Sequence, residues 1–220
     1  MKDNEDNFMA LKDFDVEILY AEEVKPLTKG VLPEVDLLDF YNRQSRRHIF
    51  LNDIIDDGLV EYSYQIIQWN LEDKGKSQEE RIPIKIFVNS DGGSLNAVMN
   101  FINIIQLSKT KVITIGMGKC YSSGGLLLMS AKERLIFPDT SCLIHDGSTG
   151  AYGDTGKVID NLEFTQKLEE KIKKYILSNT KIPNEQYEKN YRRDWWLFAE
   201  ECIELGIADR IITDLDEIIG

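Results

Sequence analysis

The middle of the chain alternates between short apolar runs and stretches with helical periodicity. Residues 84–88 (IKIFV) form an apolar run that ends at the turn sequence of residues 89–93 (NSDGG), which predicts a strand followed by a tight turn. Ser94 then occupies the N-cap position of a predicted helix. The apolar positions of that helix recur at intervals of three and four residues: Leu95, Val98, Met99, Ile102 and Ile105.

The same alternation of predicted strands and helices continues toward the carboxyl end of the chain. The predicted strands are residues 112–117, 135–137, 142–144 and 207–212, and the predicted helices are residues 126–129, 155–177 and 199–205, the last ended by Gly206. The small residues at 118–125 predict a turn. Because strands that alternate with helices favour right-handed crossovers between parallel strands, the sequence predicts an α/β fold with a parallel sheet.

Charge is distributed unevenly along the chain, which carries a formal net charge of -12. The first 40 residues hold eleven acidic residues and four lysines. We expect residues 1–32 to form a flexible or removable extension, with an ordered arm as the alternative, ahead of one domain at residues 33–220. Because such an acidic protein repels phosphates, binding to nucleic acid or to an anionic membrane is disfavoured.

The few cysteines and histidines restrict the metal and redox chemistry that is open to the chain. Its three cysteines form no C-x-x-C pair and it has two histidines, so we predict no metal site and no cofactor. Scattered cysteines are typical of reduced, partly buried side chains in a cytosolic protein. The chain has no run of eighteen apolar residues and its first twenty residues lack a secretory pattern, so we expect a cytoplasmic protein without a membrane span.

Three turns carry the residues that could perform chemistry. His145 ends an apolar run, a common place for active-site groups, whereas His48 is interpreted as the solvated start of a strand. Ser122 follows a strand and opens a helix among small residues, which suits a nucleophile that forms an oxyanion. A tight turn with a serine cap explains the same residues. Gly92 and Gly93 form a second turn, whose N–H groups could face an acyl oxygen.

These turns recur in the same order in a known family, and the chain resembles the proteolytic subunit of the Clp protease over roughly residues 35–215. Residues 89–94 (NSDGGS) resemble N-S-P-G-G-S of the family, and residues 116–124 (GMGKCYSSG) resemble x-M-G-x-A-A-S-M-G. Residues 143–145 (LIH) resemble M-I-H, and residues 193–197 (RDWWL) resemble R-D-x-x-L/M. An earlier stretch, residues 40–51, looks like I-Y-S-R…R-I-x-F-L.

The resemblance implies both a fold and a reaction. The fold is α/β of the Clp/crotonase type, with stacked ββα units and a protruding handle helix. The reaction is that of a serine endopeptidase whose triad is Ser122, His145 and Asp194, with Ser122 rather than Ser123 as the nucleophile. The backbone N–H groups of Gly93 and Ser123 would form the oxyanion hole.

The family also implies partners. Its members form two stacked heptameric rings, joined by the handle helix that corresponds to residues 155–177, so a homo-oligomer is expected. An ATP-dependent unfoldase of the Clp type would deliver unfolded protein or peptide substrates to the rings. Phe87 and Leu107 align with positions that line the docking pocket for the unfoldase, although each also fits a hydrophobic core.

Several positions depart from the family pattern without removing a member of the triad. The departures are Asp91 in place of proline, Cys120-Tyr121 in place of an alanine pair, Asp146-Gly147 in place of Gln-Pro, and the unusual Trp195-Trp196. They leave two alternatives open, a catalytically impaired paralogue that forms mixed rings and a viral capsid-maturation peptidase of the same fold. A crotonase-type acyl-CoA enzyme fits less well, because it needs no Ser–His–Asp set.

Overall fold

The computed structural model describes residues 35–148 and 150–219, and the chain enters this part through helix α1 (Val35–Arg46). The extension predicted at residues 1–32 lies outside the described residues. Among the helices that are described, none is both long enough and apolar enough to cross a membrane.

A single sheet of seven strands forms the centre of the part that is described. The strands are β1 (His48–Leu51), β2 (Ile84–Ser90), β3 (Val112–Tyr121), β4 (Glu133–Ile136), β5 (Ser141–Ile144), β6 (Trp195–Phe198) and β7 (Arg210–Ile211). Strands β1, β2, β3, β4 and β7 lie side by side in that order, and every neighbouring pair is parallel. β5 is parallel to the end of β3, and β6 is antiparallel to β5. The predicted parallel sheet is confirmed for the main strands, and β6 departs from it.

Helices connect the strands and cover the sheet. They are α2 (Leu59–Glu72), α3 (Leu95–Leu107), α4 (Ser123–Leu128), α5 (Thr155–Asn179), α6 (Asn184–Asn190), α7 (Ala199–Glu204) and α8 (Asp216–Ile219). The predicted cap of α3 is confirmed, since the Ser94 hydroxyl accepts a hydrogen bond from the N–H of Ala97 at 3.3 Å. Gly206, at φ +68°, follows α7 as predicted.

Strand β3 is longer than predicted. The strand expected at residues 112–117 continues to Tyr121, so residues 118–125 are not simply a turn, and helix α4 begins at Ser123 rather than at residue 126. Gly118 makes the continuation possible, because it adopts φ +89°, which other residues rarely do. The Thr140 hydroxyl holds this bend by accepting from the Gly118 N–H at 3.0 Å and donating to the Gly116 carbonyl at 3.1 Å.

The strand predicted at residues 207–212 is much shorter in the structure. Only Arg210 and Ile211 pair with β4 as a strand. The N–H groups of Ile207 and Ala208 instead donate to the carbonyl of Cys202, at 2.8 and 3.2 Å. Because that turn after α7 uses their backbone, these two residues cannot join the sheet.

The core lies on both faces of the sheet. In β2 the side chains of Ile84, Ile86 and Val88 alternate with Phe87, so the strand contributes to two separate buried clusters. The larger cluster includes the fully buried Phe101 of α3. The smaller one surrounds Phe87 and also contains Ile113, Ile115, Leu135, Ile212 and Ile218. Burying an aliphatic or aromatic side chain of this size stabilises a fold by about 1.5–3 kcal/mol.

His48 is less solvated than the sequence predicts. It starts β1, but it is half-buried, and its ring lies 5.5 Å from that of Phe87. Burial, with the nearby charges of Lys85 and Arg46, lowers the pKa of His48 below its ordinary value. The expectation of a solvated histidine was therefore wrong, because the ring packs against Phe50 of the same strand and Phe87 of β2.

Helix α5 is attached to the rest of the fold mainly through its last turns. Of its 25 residues, only Tyr175 and Ile176 are buried. The hydroxyl of Tyr175 donates to the carbonyl of Leu126 in α4 at 2.9 Å, and burial raises the pKa of this tyrosine. The first turns of α5 carry the exposed apolar side chains of Ile159 and Phe164, as expected for a protruding helix.

A buried ion pair links Asp73, which follows α2, to Arg47, which precedes β1. Arg47, at φ +55°, donates to the Asp73 carboxylate at 3.0 Å, and Thr110 donates to the same carboxylate at 2.7 Å. Burial alone would raise the pKa of Asp73, but hydrogen bonds from Arg47, Thr110 and Lys76 lower it well below its ordinary value.

Candidate active site

Ser122 lies at the junction between β3 and α4. Its backbone conformation is one that residues other than glycine rarely adopt. Its φ and ψ are 53° and -119°, and such a conformation costs on the order of 1–3 kcal/mol. Two backbone hydrogen bonds hold it. The Ser122 N–H donates to the carbonyl of Leu143 at 2.9 Å, and the N–H of Leu126 donates to the Ser122 carbonyl at 3.2 Å. The sharp turn therefore fixes the serine beside strand β5.

The strand registers bring His145 and Asp194 to the same edge of the sheet as Ser122. Tyr121, the last residue of β3, pairs with Leu143 of β5, and Ile144 pairs with Trp195 of β6. Ser122 directly follows Tyr121, His145 directly follows Ile144, and Asp194 directly precedes Trp195. Because neighbouring strands lie about 4.8 Å apart, Ser122, His145 and Asp194 are neighbours in space although the sequence separates them widely.

The imidazole of His145 contacts the carboxylate of Asp194. Nδ1 of the histidine lies 3.5 Å from Oδ1 of the aspartate, which is longer than an ordinary hydrogen bond. The side chain of His145 is 26% exposed and that of Asp194 is 64% exposed. The other ring nitrogen, Nε2, is buried and has no hydrogen-bond partner within the described ranges. Ser122 Oγ is therefore not hydrogen-bonded to His145 in this structure.

The glycine turn lies directly against the serine turn. The Ser123 hydroxyl donates to the Gly93 carbonyl at 3.0 Å, and a Cβ placed on Gly92 would lie 2.8 Å from Cβ of Ser122. Ile55 holds the turn from the other side, since its N–H donates to Gly92 at 2.8 Å and its carbonyl accepts from Ser94 at 2.7 Å. The two turns that the sequence analysis singled out are thus packed together.

The two N–H groups predicted to form an oxyanion hole are available. Among the residues that the structure describes, the N–H groups of Gly93 and Ser123 donate to no acceptor. Ser123 is buried, where a backbone donor is normally paired, whereas Gly93 is exposed to solvent. Free donors beside a serine can bind the oxygen of an acyl group.

Tyr121, a departure from the family pattern, is held along the edge of the sheet. Its hydroxyl shares a hydrogen bond of 2.8 Å with the hydroxyl of Ser141, and its ring meets the ring of Trp196 edge to face at 5.0 Å. Tyr121 and Trp196 both pair with Leu143 of the intervening strand. The sequence does not reveal this contact, because the pairing of β5 with β6 cannot be inferred from a run of four residues.

The remaining predicted site residues lie apart from this edge. Phe87 is buried and stacks on Phe50 with ring centroids 4.4 Å apart, whereas Leu107, at the end of α3, is 75% exposed. Asp91, another departure, pairs with Lys119 at 2.5 Å on the surface. No group of three or more acidic, histidine or cysteine side chains suited to a metal ion occurs in the part of the chain that is described.

Comparison with known proteins points to one family. The model of the Clp protease family matches residues 34–214. The chain is 34% identical over 137 residues to ATP-dependent Clp protease proteolytic subunit 3 of Rhizobium meliloti, covering 61% of this chain and 70% of that protein. It is 28% identical over 181 residues to proteolytic subunit 2 of the same protease from Thermobifida fusca, covering 80% of this chain and 85% of the relative.

A third relative, proteolytic subunit 1 from Streptomyces avermitilis, is 31% identical over 147 residues, which cover 64% of this chain and 66% of the relative. The family match spans most of the chain and includes all the elements that carry Ser122, His145 and Asp194. The expectations of a Clp-type α/β fold and of the family itself are confirmed. The chain therefore belongs to the Clp protease family, a family of serine peptidases.

Proposed function

We propose that this chain is a serine endopeptidase in which Ser122 is the nucleophile, His145 the general base and Asp194 the residue that orients the histidine. The observation that carries the proposal is the arrangement of β3, β5 and β6, which places the three side chains at one edge of the sheet with His145 Nδ1 3.5 Å from Asp194 Oδ1. A nucleophile, a base and an orienting carboxylate in this order define the chemistry of a triad.

In the proposed reaction, Ser122 Oγ attacks the carbonyl carbon of a peptide bond while His145 Nε2 accepts the serine proton. The tetrahedral intermediate then collapses, the C–N bond breaks, and His145 returns the proton to the leaving amine. Water attacks the resulting acyl-serine by the same route and regenerates the free hydroxyl. Asp194 keeps the Nδ1 proton in place and stabilises the imidazolium during both steps.

The N–H groups of Gly93 and Ser123 would bind the oxyanion in each intermediate. Two contacts support this assignment, namely the 3.0 Å hydrogen bond from the Ser123 hydroxyl to the Gly93 carbonyl and the close approach of Gly92 to Ser122. Losing one such donor costs roughly 10²–10³ in rate in enzymes of this kind.

Productive geometry requires a rearrangement of the triad. His145 Nε2 has no partner within the described residues, and Asp194 is still 64% exposed. A general base acts within about 2.6–3.2 Å of the proton that it accepts, and such contacts are often looser before substrate binds. We propose that assembly and substrate binding bring Nε2 onto Ser122 Oγ and bury the aspartate.

We propose further that the chain forms two stacked heptameric rings, that it works with an ATP-dependent Clp-type unfoldase, and that unfolded proteins or peptides are its substrates in the cytoplasm. Exposed apolar side chains on one face of α2 (Val60, Tyr64, Ile67 and Leu71) support an assembly, because their spacing forms a stripe that the described residues leave exposed. Phe87 and Leu107 remain the proposed docking residues for the unfoldase.

The direct test is hydrolysis of a fluorogenic peptide by the purified full chain and by two adjacent serine variants. Ser122→Ala should reduce kcat to background, whereas Ser123→Ala should lose about tenfold or less, because it keeps its N–H and loses one neutral hydrogen bond to Gly93. Equal activity of wild type and Ser122→Ala would refute the proposal. If the wild-type chain assembles but hydrolyses no peptide, the protein is the catalytically impaired paralogue instead.

A further inference from the structure

A cavity of about 100 Å³ is lined in part by His145. It lies between the end of β5 and helices α5 and α6, and Ile172, Tyr187 and Tyr191 form part of its wall. The two tyrosine rings are stacked with centroids 5.1 Å apart. A space of this volume holds several water molecules, so it can also hold the end of a long side chain.

Carboxylates dominate the polar part of the wall. Asp146, Glu169, Glu170 and Glu188 all line the cavity, against the single lysine Lys173. Lys173 forms an ion pair with Glu188, so these two charges offset one another. The other three carboxylates have no hydrogen bond or ion pair to any side chain or backbone group within residues 35–148 and 150–219.

A nearby arginine does not neutralise this cluster. The Arg192 guanidinium lies over the ring of Tyr191, 5.4 Å from its centroid, and donates to the tyrosine hydroxyl at 2.7 Å. Its charge interacts with Asp146 and Glu169, but it forms no direct ion pair with either. Even when Arg192 is counted, the surroundings of the cavity keep an excess of two negative charges. Burial, together with the neighbouring charges of Tyr191, Glu188, Glu169 and Glu170, raises the pKa of Tyr187 to about 12.

Such surroundings suit a cation better than any other group. A positive charge in the cavity would relieve the repulsion between the three carboxylates, and the tyrosine rings would pack against an aliphatic stem. A metal ion is a poorer candidate, since no group of ligands with suitable geometry occurs in the part of the chain described. Because His145 forms part of the wall, whatever fills the cavity lies next to the proposed general base.

We propose that this cavity binds the side chain of a lysine or arginine next to the scissile bond, so that Asp146, Glu169 and Glu170 give the peptidase a preference for basic residues there. The inference rests on the proposed function, because it assigns a specificity to the same site. It explains a departure that the sequence analysis left open, since Asp146 directly follows His145.

The test uses internally quenched peptides that differ only at the two residues flanking the scissile bond. Lysine is compared with norleucine, which has the same aliphatic stem without the ammonium group, and with glutamate. The full chain should cleave the lysine peptide at least fivefold more efficiently in kcat/KM than the norleucine peptide, at one of the two positions. Because partly exposed ion pairs are screened by salt, the ratio of kcat/KM for the lysine peptide to that for the norleucine peptide should fall when ionic strength rises from about 0.05 to 0.5 M.

Variants then assign the preference to the cavity. Glu169→Gln combined with Glu170→Gln should reduce the ratio of kcat/KM for the lysine peptide to that for the norleucine peptide about fivefold. Glu170→Lys should shift the preference toward glutamate. Glu163→Gln is the matched control, because Glu163 is exposed on the same helix and lies outside the cavity. Thermal unfolding of each variant checks that the fold is intact.

The outcomes separate this inference from the proposed function. Cleavage of norleucine peptides as fast as lysine peptides at both positions would overturn the preference while leaving the peptidase in place. A lysine preference that survives in the double variant would overturn its assignment to this cavity. A chain that cleaves no peptide and whose Ser122 does not react with a phosphonate would overturn the proposed function, and the inference with it.

Discussion

Gly92 offers a sharp test of the packing between the glycine turn and the nucleophile turn. It adopts φ +98°, and a Cβ at this position would lie 2.7 Å from the Tyr121 carbonyl oxygen and 2.8 Å from Cβ of Ser122. Contacts below 3.0 Å are hardly ever seen for a real Cβ, and here the opposing atoms belong to the turn itself rather than to a flexible side chain. Gly92→Ala must therefore displace the turn that carries Ser122.

Gly75 provides a matched control, because it shares the unusual backbone conformation of Gly92 without the crowding around it. It adopts φ +91°, close to that of Gly92, but a Cβ there would meet no atom within 4 Å. Both alanine variants should lose about 1–2 kcal/mol of folding free energy, because L residues disfavour this conformation. Gly92→Ala should lose roughly a further 1–3 kcal/mol through overpacking.

The two variants should differ more in peptidase activity than in folding free energy. A displacement of about 1 Å in a catalytic group can reduce the rate about 10²-fold, so Gly92→Ala should lose at least that factor in kcat. Gly75→Ala should remain within about twofold of wild type. Urea unfolding and fluorogenic peptide hydrolysis, measured side by side, give both quantities. Equal activity of the two variants would refute the close packing of the turns.

Three further predictions concern stability and assembly. Asp73→Asn should lose about 1.5–3 kcal/mol of folding free energy at pH 7, because it removes the charged hydrogen bonds to Arg47 and leaves this buried arginine paired with Glu72 alone among the described residues. Since the folded-state pKa of Asp73 is lowered, its stabilisation is present at neutral pH and is lost as pH falls below the ordinary value of 3.8. Urea midpoints at pH 7 and pH 3 should therefore differ less in the variant than in wild type. Tyr175→Phe should lose about 1 kcal/mol in urea unfolding by removing the hydrogen bond to Leu126, whereas Tyr152→Phe, at a fully exposed tyrosine, should change nothing measurable. Native mass spectrometry should give about fourteen times the 25.3 kDa of one chain, and an active monomer at micromolar concentration would contradict the ring proposal.

The sequence predicted the elements whose signals are local. Ser94 marks the start of α3 through its cap, and the apolar run at residues 84–88 marks β2, because both depend on neighbouring residues alone. The long helix α5 was predicted to within two residues for the same reason. Of these elements, β2 and α3 flank the turn that contains Gly92 and Gly93.

The features that the sequence could not predict depend on contacts between distant segments. The extension of β3 to Tyr121 requires the hydroxyl of Thr140, and the strand Trp195–Phe198 exists because β5 lies beside it. The acidic cavity joins Asp146 to Glu169 and Glu170, which lie more than twenty residues later on α5. Only the folded chain shows that these carboxylates line the same cavity as the candidate histidine.

The central claim is that Ser122 is a nucleophile activated by His145. The most direct measurement is mass spectrometry of the full chain after treatment with a serine-directed phosphonate, with proteolytic mapping of the modified residue. The account predicts one adduct per chain on Ser122, unchanged in Ser123→Ala and strongly reduced in His145→Ala, because the hydroxyl then has no base to accept its proton. An adduct on Ser123, or labelling of Ser122 at the wild-type rate without His145, would contradict it.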